Sequence, residues 1–417
     1  MASRGHHLVT ADRHFATGVG VVGRLAGPMF ARVVEGLDER LLSGGLEARL
    51  PDGTRRRVGF RTPGPVATVD ISSWKALVRL ATSGSVGWYK AWENGEWTSP
   101  DPVALFELFG VNALSLGDAT RAKGPVRWLN AFAHRLRDNA PRQARHNIAA
   151  HYDLGNDFYA AWLDAGMTYS SARFAPGDTL ESAQARKVAS LLDRLDLKPG
   201  MRLLEIGCGW GNLAIEAARS GVEVVGLTLS ASQKDWTDEK IAGCKLSDRI
   251  TIRLQDYREI SEQFDAIASV EMVEAVGQRY WPNFSDTLAR CLKPGGKAAL
   301  QYISIDHRAF PRYARSADFI QAYIFPGGML IDEPAFEALA RARGLSWDDR
   351  DVFGPDYAET LRQWRLRYDA AVDDGRLPGF DDRFHNLWRY YLMYCEGGFR
   401  GRAIDVAQVT LTKERGT

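Results

Sequence analysis

Leu203-Leu204-Glu205-Ile206-Gly207-Cys208-Gly209-Trp210-Gly211 is an apolar run that ends in three alternate glycines. It reads as a buried strand feeding a tight turn. Glycine permits positive φ and lets the backbone approach a ligand closely. The stretch that follows, NLAIEAARSG (212–221), reads as a helix stopped by Gly221. Its first N–H groups face the turn without intrahelical partners. The spacing is G-x-G-x-G, not the G-x-G-x-x-G of dinucleotide sites. Alone, such a turn serves tight strand–helix packing equally well.

Outward from this turn, strands and helices alternate. AQARKVASLLDRLDL (183–197) is a helix before it. After it come a strand in VEVVGLTLS (222–230), a helix in ASQKDWTDEKIAG (231–243) and a strand in RITIRLQDY (249–257). FDAIASVEMV (264–273) is a strand, PNFSDTLARCLKPGG (282–296) a helix and KAALQYISI (297–305) a strand. Strands separated by helices pair in parallel and build a doubly wound, Rossmann-like α/β sheet. Residues 306–400 read as a long helical insertion, and RAIDVAQVTLTK (402–413) returns as a late strand.

Ligands of such sheets sit at the carboxyl ends of the strands. The second strand ends at Thr228-Leu229-Ser230, where a ribose would lie, and the third at Gln255-Asp256-Tyr257, with a carboxylate and an aromatic face for adenine. With the Gly-rich turn, these strand ends point to S-adenosylmethionine. Many nucleoside sites place an acid at the second strand end. Here Thr228 and Gln233 are left to hold the ribose hydroxyls.

The N-terminal part differs. LEARL (46–50), Pro51-Asp52-Gly53-Thr54 and RRRVGFR (55–61) read as strand, turn and strand. ATVDI (67–71) and VGWYKAWENGEW (86–97) add strand-like alternation, with Asn94-Gly95 as a hairpin signal. PDPVALFELFGVNA (100–113) is a helix with Pro102 in its first turn. The expected organisation is a small α+β domain over 1–120, a basic linker over 121–147 and the methyltransferase domain over 148–417. The linker carries seven Lys/Arg against one acid, Asp138. It is either a solvated connector or a stretch attracted to anionic lipid.

Composition sets limits. The chain has 417 residues, of which 45% are hydrophobic and 25% charged, as in ordinary globular proteins. Lys+Arg is 53 against Asp+Glu 52, a balance that does not commit the protein to nucleic acid. The four cysteines, Cys208, Cys244, Cys291 and Cys395, form no metal-ligand spacing and no disulfide framework, which fits a reducing cytoplasm. The apolar stretch 17–34 is interrupted by Arg24, Pro28 and Arg32, so membrane contact is expected to be peripheral, on the inner face.

HYDLGNDFY (151–159) and MTYSS (167–171), with LEIGCGWG (204–211), LQDYR (254–258), YIFPGG (323–328) and YYLMYCEGGFR (390–400), make the chain resemble the cyclopropane-fatty-acyl-phospholipid synthase family over roughly 45–417. The resemblance implies transfer of a methyl group from S-adenosylmethionine to the cis double bond of a phospholipid acyl chain in the bilayer. A carbocation then loses a proton from the new methyl group to a bound bicarbonate, closing a cyclopropane. Carried over by motif, Tyr169, Ser170, Gly207, Gly209, Thr228, Leu229, Gln233, Gln255, Asp256 and Tyr257 hold the cofactor. Glu274 in EMVEAVG, Tyr357 in FGPDY and the backbone at Ser171 and Ile303 hold the bicarbonate. Gln301 stands where several members have a histidine, Ser171 where many have a cysteine, and Ala275 replaces another frequent histidine. Cys395 matches a cysteine discussed as catalytic, although its aromatic-rich surroundings suit a packed thiol better.

These departures leave open a methyl-branched or methylene product instead of the ring. Two other readings stand beside the enzyme: a non-catalytic lipid-binding protein with a relic nucleoside pocket, and a methyltransferase acting on a soluble small molecule. His151 reads as a core or lid residue, and Trp88, Trp92 and Trp97 as core rather than acyl groove. Phe310, Tyr313, Phe319, Tyr323, Ile324 and Phe325 are the expected walls of an acyl tunnel. The small domain is expected to dock on the bilayer or on a second subunit as a homodimer.

Overall fold

A computed structural model describes residues 3–11, 34–117 and 154–415. The expected basic linker, His151 and nearly all of 17–34 lie outside these residues. The described chain forms two compact units, one from the residues up to 117 with 306–326 and 378–404, the other from 154–305, 327–377 and 405–415. The segment read as a single insertion, 306–400, is therefore divided between the two.

In the first unit, β1 (Ser43–Arg49) and β2 (Arg55–Gly59) form an antiparallel hairpin with Leu46 opposite Val58. Asp52 holds its turn by accepting from the Thr54 N–H at 3.0 Å. β3 (Thr62–Ile71) joins β1 in parallel, and β4 (Trp97–Thr98) joins β3 antiparallel. The sheet order is β2-β1-β3-β4.

The strand expected over 86–97 is instead mostly helix. Trp74–Glu93 is helical, capped by Ser73 and kinked at Gly84, which takes φ 59. Val86, Trp88, Tyr89 and Ala91 are all buried, so the stretch packs on more than one side. Apolar residues on several sides satisfy both the strand and the helix period, and the length of the helix decides. Asn94-Gly95 makes the exit turn into β4, with the Gly95 N–H bonded to the Trp92 carbonyl at 2.9 Å. Trp88 stacks on Trp97 with ring centroids 4.4 Å apart, which fills the core rather than a groove.

Helix Pro102–Val111, capped by Asp101, packs on helix Asp382–Arg400. A Cβ at Gly397 would meet Phe106 at 2.3 Å, so glycine sets this close approach. The expected tunnel-wall residues Phe319 and Tyr323 are fully buried here, against Tyr390 and Tyr89 with centroids 4.7 and 4.6 Å apart.

The second unit holds the sheet read from the Gly-rich turn. β5 (Arg202–Ile206), β6 (Glu223–Thr228), β7 (Ile250–Leu254), β8 (Phe264–Val270), β9 (Leu292–Ile305), β10 (Asp348–Val352) and β11 (Ile404–Thr412) lie in the order β10-β11-β9-β8-β5-β6-β7. The pairs β5–β6, β6–β7, β5–β8 and β8–β9 are parallel. Leu191, Leu203, Ile215, Val224 and Ala268 build its buried core. Each such leucine, isoleucine or valine stabilises by ~1.5–3 kcal/mol when fully buried. From β5 the chain winds one way to β6 and β7, then the other way to β8 and β9. The order therefore reverses between β5 and β8, and the carboxyl ends of these two strands flank the crevice where such sheets bind ligands. No described helix is long and apolar enough to cross a membrane.

Candidate active site

The Gly-rich turn leaves β5 at this reversal. Gly207, Gly209 and Gly211 take φ of 82, 51 and 77. Their roles separate once a Cβ is placed on each. At Gly207 it would meet Met272 at 2.8 Å, and at Gly211 it would meet Thr237 at 2.4 Å, so these two serve packing. At Gly209 it would meet nothing within 4 Å. That face is open for a ligand to approach the backbone.

The neighbouring strand ends complete a nucleoside-sized frame. The Gln255 N–H bonds the Thr228 carbonyl at 3.1 Å, tying β7 to β6. Thr228 donates its hydroxyl to Gln233 Oε1 at 3.1 Å, and Leu229 is half-buried beside it. Gln233 Nε2 is buried without a hydrogen-bond partner. A buried orphan donor calls for an acceptor, and a ribose hydroxyl supplies one. Asp256 is held by Arg258 through Nε at 2.8 Å and Nη2 at 2.6 Å. Tyr257 departs from the expected adenine face. It is buried, with its ring edge to Phe284 at 5.5 Å. Ser170 accepts from the Lys187 ammonium at 2.7 Å, and Tyr169 packs against Trp364 at 5.3 Å.

The second cluster lies immediately after β8. Glu271 takes φ 48, a conformation that favours glycine. Its backbone N–H bonds the Gln301 carbonyl at 2.8 Å. Three groups donate to its carboxylate: the Ser171 N–H at 2.9 Å, Gln301 Nε2 at 2.8 Å and the Tyr357 hydroxyl at 2.6 Å. Gln301 is oriented from behind by Gln408 Nε2, which donates to its Oε1 at 3.0 Å. Glu274 accepts from the Ile303 N–H, and its other oxygen is buried without a partner.

The charges divide between the two carboxylates. Burial, then the charge of Glu271, pushes Glu274 up to about 8. Burial raises Glu271 as well, but its three donors and the nearby Lys187 oppose this. Two close carboxylates do not both ionise readily. Glu274 therefore keeps its proton at neutral pH, and the three donors bonded to Glu271 favour its charged form against the burial that raises it. Lys187 is itself pushed down to about 8 by burial, opposed by Glu271, Asp164 and Glu205.

The bicarbonate site implied by the family resemblance does not fit these residues. Ser171, Tyr357 and Gln301 already donate to Glu271, and Ile303 donates to Glu274. The structure thus brings Glu274, Tyr357, Gln301, Ser171 and Ile303 together as expected, but around this chain's own carboxylate. Cys395 belongs to the first unit. Burial, and then Asp318, holds its thiol well above the ordinary range, so it is not a ready nucleophile. Glu271, Lys187 and Gln408 were missed from sequence. A signal existed for two of them: Glu271 directly ends an apolar strand, and Lys187 falls on the buried stripe Leu180, Ala183, Gln184, Leu191 of its helix.

A parallel sheet with a ligand-facing glycine turn, an orphan ribose-side donor and a carboxylate at the strand reversal defines a class I S-adenosylmethionine methyltransferase. Residues 139–409 match the family model described as mycolic acid cyclopropane synthetase. The chain is 38% identical over 349 residues to tuberculostearic acid methyltransferase UfaA1 of Mycobacterium tuberculosis, covering 81% of each chain. It is 39% identical over 269 residues to the cyclopropane-fatty-acyl-phospholipid synthase of Escherichia coli, covering 63% of this chain and 66% of that one. The crystal structure of mycolic acid cyclopropane synthase CmaA1 complexed with SAH and CTAB superposes with a TM-score of 0.61 at 32% identity, over 64% of this chain and 98% of that one. This chain belongs to the cyclopropane-fatty-acyl-phospholipid and mycolic acid cyclopropane synthase family, and it is an S-adenosylmethionine-dependent methyltransferase of fatty acyl chains.

Proposed function

We propose that the protein adds the methyl carbon of S-adenosylmethionine across the cis double bond of an unsaturated phospholipid acyl chain and closes a cyclopropane. The observation that carries this reading is the placement of an open glycine turn beside a buried carboxylate cluster at one strand reversal, in a chain of this family. Bound S-adenosylmethionine supplies an electrophilic methyl group. Gly209 cradles its amino-acid end, with Tyr169 and Ser170 alongside, and Gly207 shapes the turn by packing against Met272. Thr228, Leu229 and Gln233 take the ribose, and Gln255 and Asp256 the adenine, with Tyr257 as a buried support. An alkene is a weak nucleophile, so orientation must supply much of the rate.

A second reading ends in a methylene or methyl-branched chain. The similarity to a tuberculostearic acid methyltransferase over 81% of the chain favours it. Contact with the bilayer is peripheral in either case. Arg55 and Arg56, exposed on the edge strand β2, suit anionic headgroups, together with the basic run 121–147. Cys395 takes no chemical part.

Mass spectrometry of phospholipid acyl chains from a bacterial host expressing the protein tests this reading. Chains heavier by one CH2 are expected, and NMR then separates ring from branch. Unaltered acyl chains in a host that makes abundant monounsaturated phospholipid would overturn it.

A further inference from the structure

Glu271 is the residue whose geometry asks most for a function. A bulky residue at positive φ costs ~1–3 kcal/mol and persists where the surroundings over-determine it. Here donors from three separate segments do so, through Ser171, Gln301 and Tyr357. The residue also sits immediately beyond β8 and directly before Met272, the side chain that a Cβ on Gly207 of the methyl-donor turn would meet. A purely structural ion would be expected to carry a bonded cation, as Glu96 does with Arg79. The groups bonded to the Glu271 carboxylate are neutral donors, which orient it without neutralising it.

The structure assigns Glu271 as the built-in general base of the reaction, standing where the family resemblance implies a bicarbonate ion. This rests on the acyl-alkylation reading above. The π pair of the alkene forms the bond to the methyl carbon as the sulfonium S–CH3 bond breaks; that bond's pair stays on sulfur in the departing S-adenosylhomocysteine, and the positive charge moves to the second alkene carbon. Glu271 accepts one proton from that methyl group. The released C–H pair becomes the C–C bond that closes the ring, and the proton passes from the carboxylic acid to solvent before the next turnover. Glu274, already protonated, places no second anion against the base. Ser171, Gln301 and Tyr357 are positioning residues. No free anion is required, so turnover is independent of bicarbonate.

Two variants and two readouts test this. Glu271→Gln keeps the shape and removes the base. Turnover on vesicles of unsaturated phospholipid should fall ~10²–10⁴-fold, with S-adenosylmethionine affinity retained in calorimetry. Glu271→Gly relieves the positive φ and empties the anion position. It should bind ¹³C-bicarbonate by NMR, and added bicarbonate should restore its turnover. The parent should bind none and should keep its rate in carbonate-free buffer. Bicarbonate binding to the parent, a parent rate that collapses without bicarbonate, or an undiminished Glu271→Gln variant would each overturn the assignment. The NMR readout is independent of the reaction. A parent that binds no bicarbonate yet alkylates no acyl chain therefore contradicts the proposed function and not the anion assignment.

Discussion

Tyr357 and Glu271 lie 86 residues apart in the chain, yet the tyrosine hydroxyl donates to Oε2 of the glutamate at 2.6 Å. The helix Gly354–Asp373 delivers the hydroxyl, and the end of β8 delivers the carboxylate. A bond of this kind to a charged group contributes ~1.5–3 kcal/mol. Tyr357→Phe should therefore lower kcat ~10–100-fold and leave the affinity for S-adenosylmethionine unchanged. A loss of cofactor affinity at constant kcat would instead place Tyr357 at the cofactor.

The glycines of the turn predict two different failures. Gly209→Val projects a branched side chain into the open face and should abolish cofactor binding while the protein stays folded. Gly207→Val drives its Cβ into Met272 and should lower the melting temperature first. Calorimetry with S-adenosylmethionine and a thermal scan on both variants separate the effects. Full affinity in folded Gly209→Val would remove the cofactor from this turn.

The alternation of strands and helices from 183 to 305 was legible because buried parallel strands and amphipathic helices carry different periods and end at glycines. The helix Trp74–Glu93 was not, because aromatic and small residues are buried on several of its faces and mimic a strand. Glu274 was found by its motif, whereas Glu271 passed unread. Its significance lies in contacts to Ser171, Gln301 and Tyr357, each distant in sequence, and in a positive φ that no local pattern announces. Gln408 was hidden for the same reason, since it acts by orienting Gln301 from another strand.

The protonated state of Glu274 makes stability depend on pH. Its folded value is pushed up to about 8, against an ordinary glutamate at ~4.3. Between those values the folded protein holds a proton that the unfolded chain has lost. Stability from this group is therefore present at low pH and is lost as pH rises through that window. Glu274→Gln keeps the neutral shape and removes the titration. The melting temperature of the variant relative to the parent should climb between roughly pH 5 and pH 8 and level off above. A difference that stays flat with pH would mean that Glu274 is ionised in the fold. Because glutamine imitates the protonated acid, turnover near neutral pH should change little, in contrast to Glu271→Gln.

Membrane attachment through Arg55, Arg56 and the basic run 121–147 should weaken with salt. The Debye length falls from ~10 Å at 0.1 M to ~3 Å at 1 M. Sedimentation should show strong binding to anionic vesicles at low salt, weak binding at high salt and weak binding to neutral vesicles throughout. Equal, salt-insensitive binding to both would assign these residues to a solvated surface.

Insertion of the S-adenosylmethionine methyl carbon at an acyl double bond, with loss of one of its own protons, leaves an isotopic record in the product. Turnover on unsaturated phospholipid vesicles with a cofactor bearing a trideuterated methyl group measures this directly. Acyl chains heavier by one CD2 group are expected, with two deuterons kept and the third lost to solvent through Glu271. Acyl chains that keep all three deuterons, or that gain no mass at all, would contradict it.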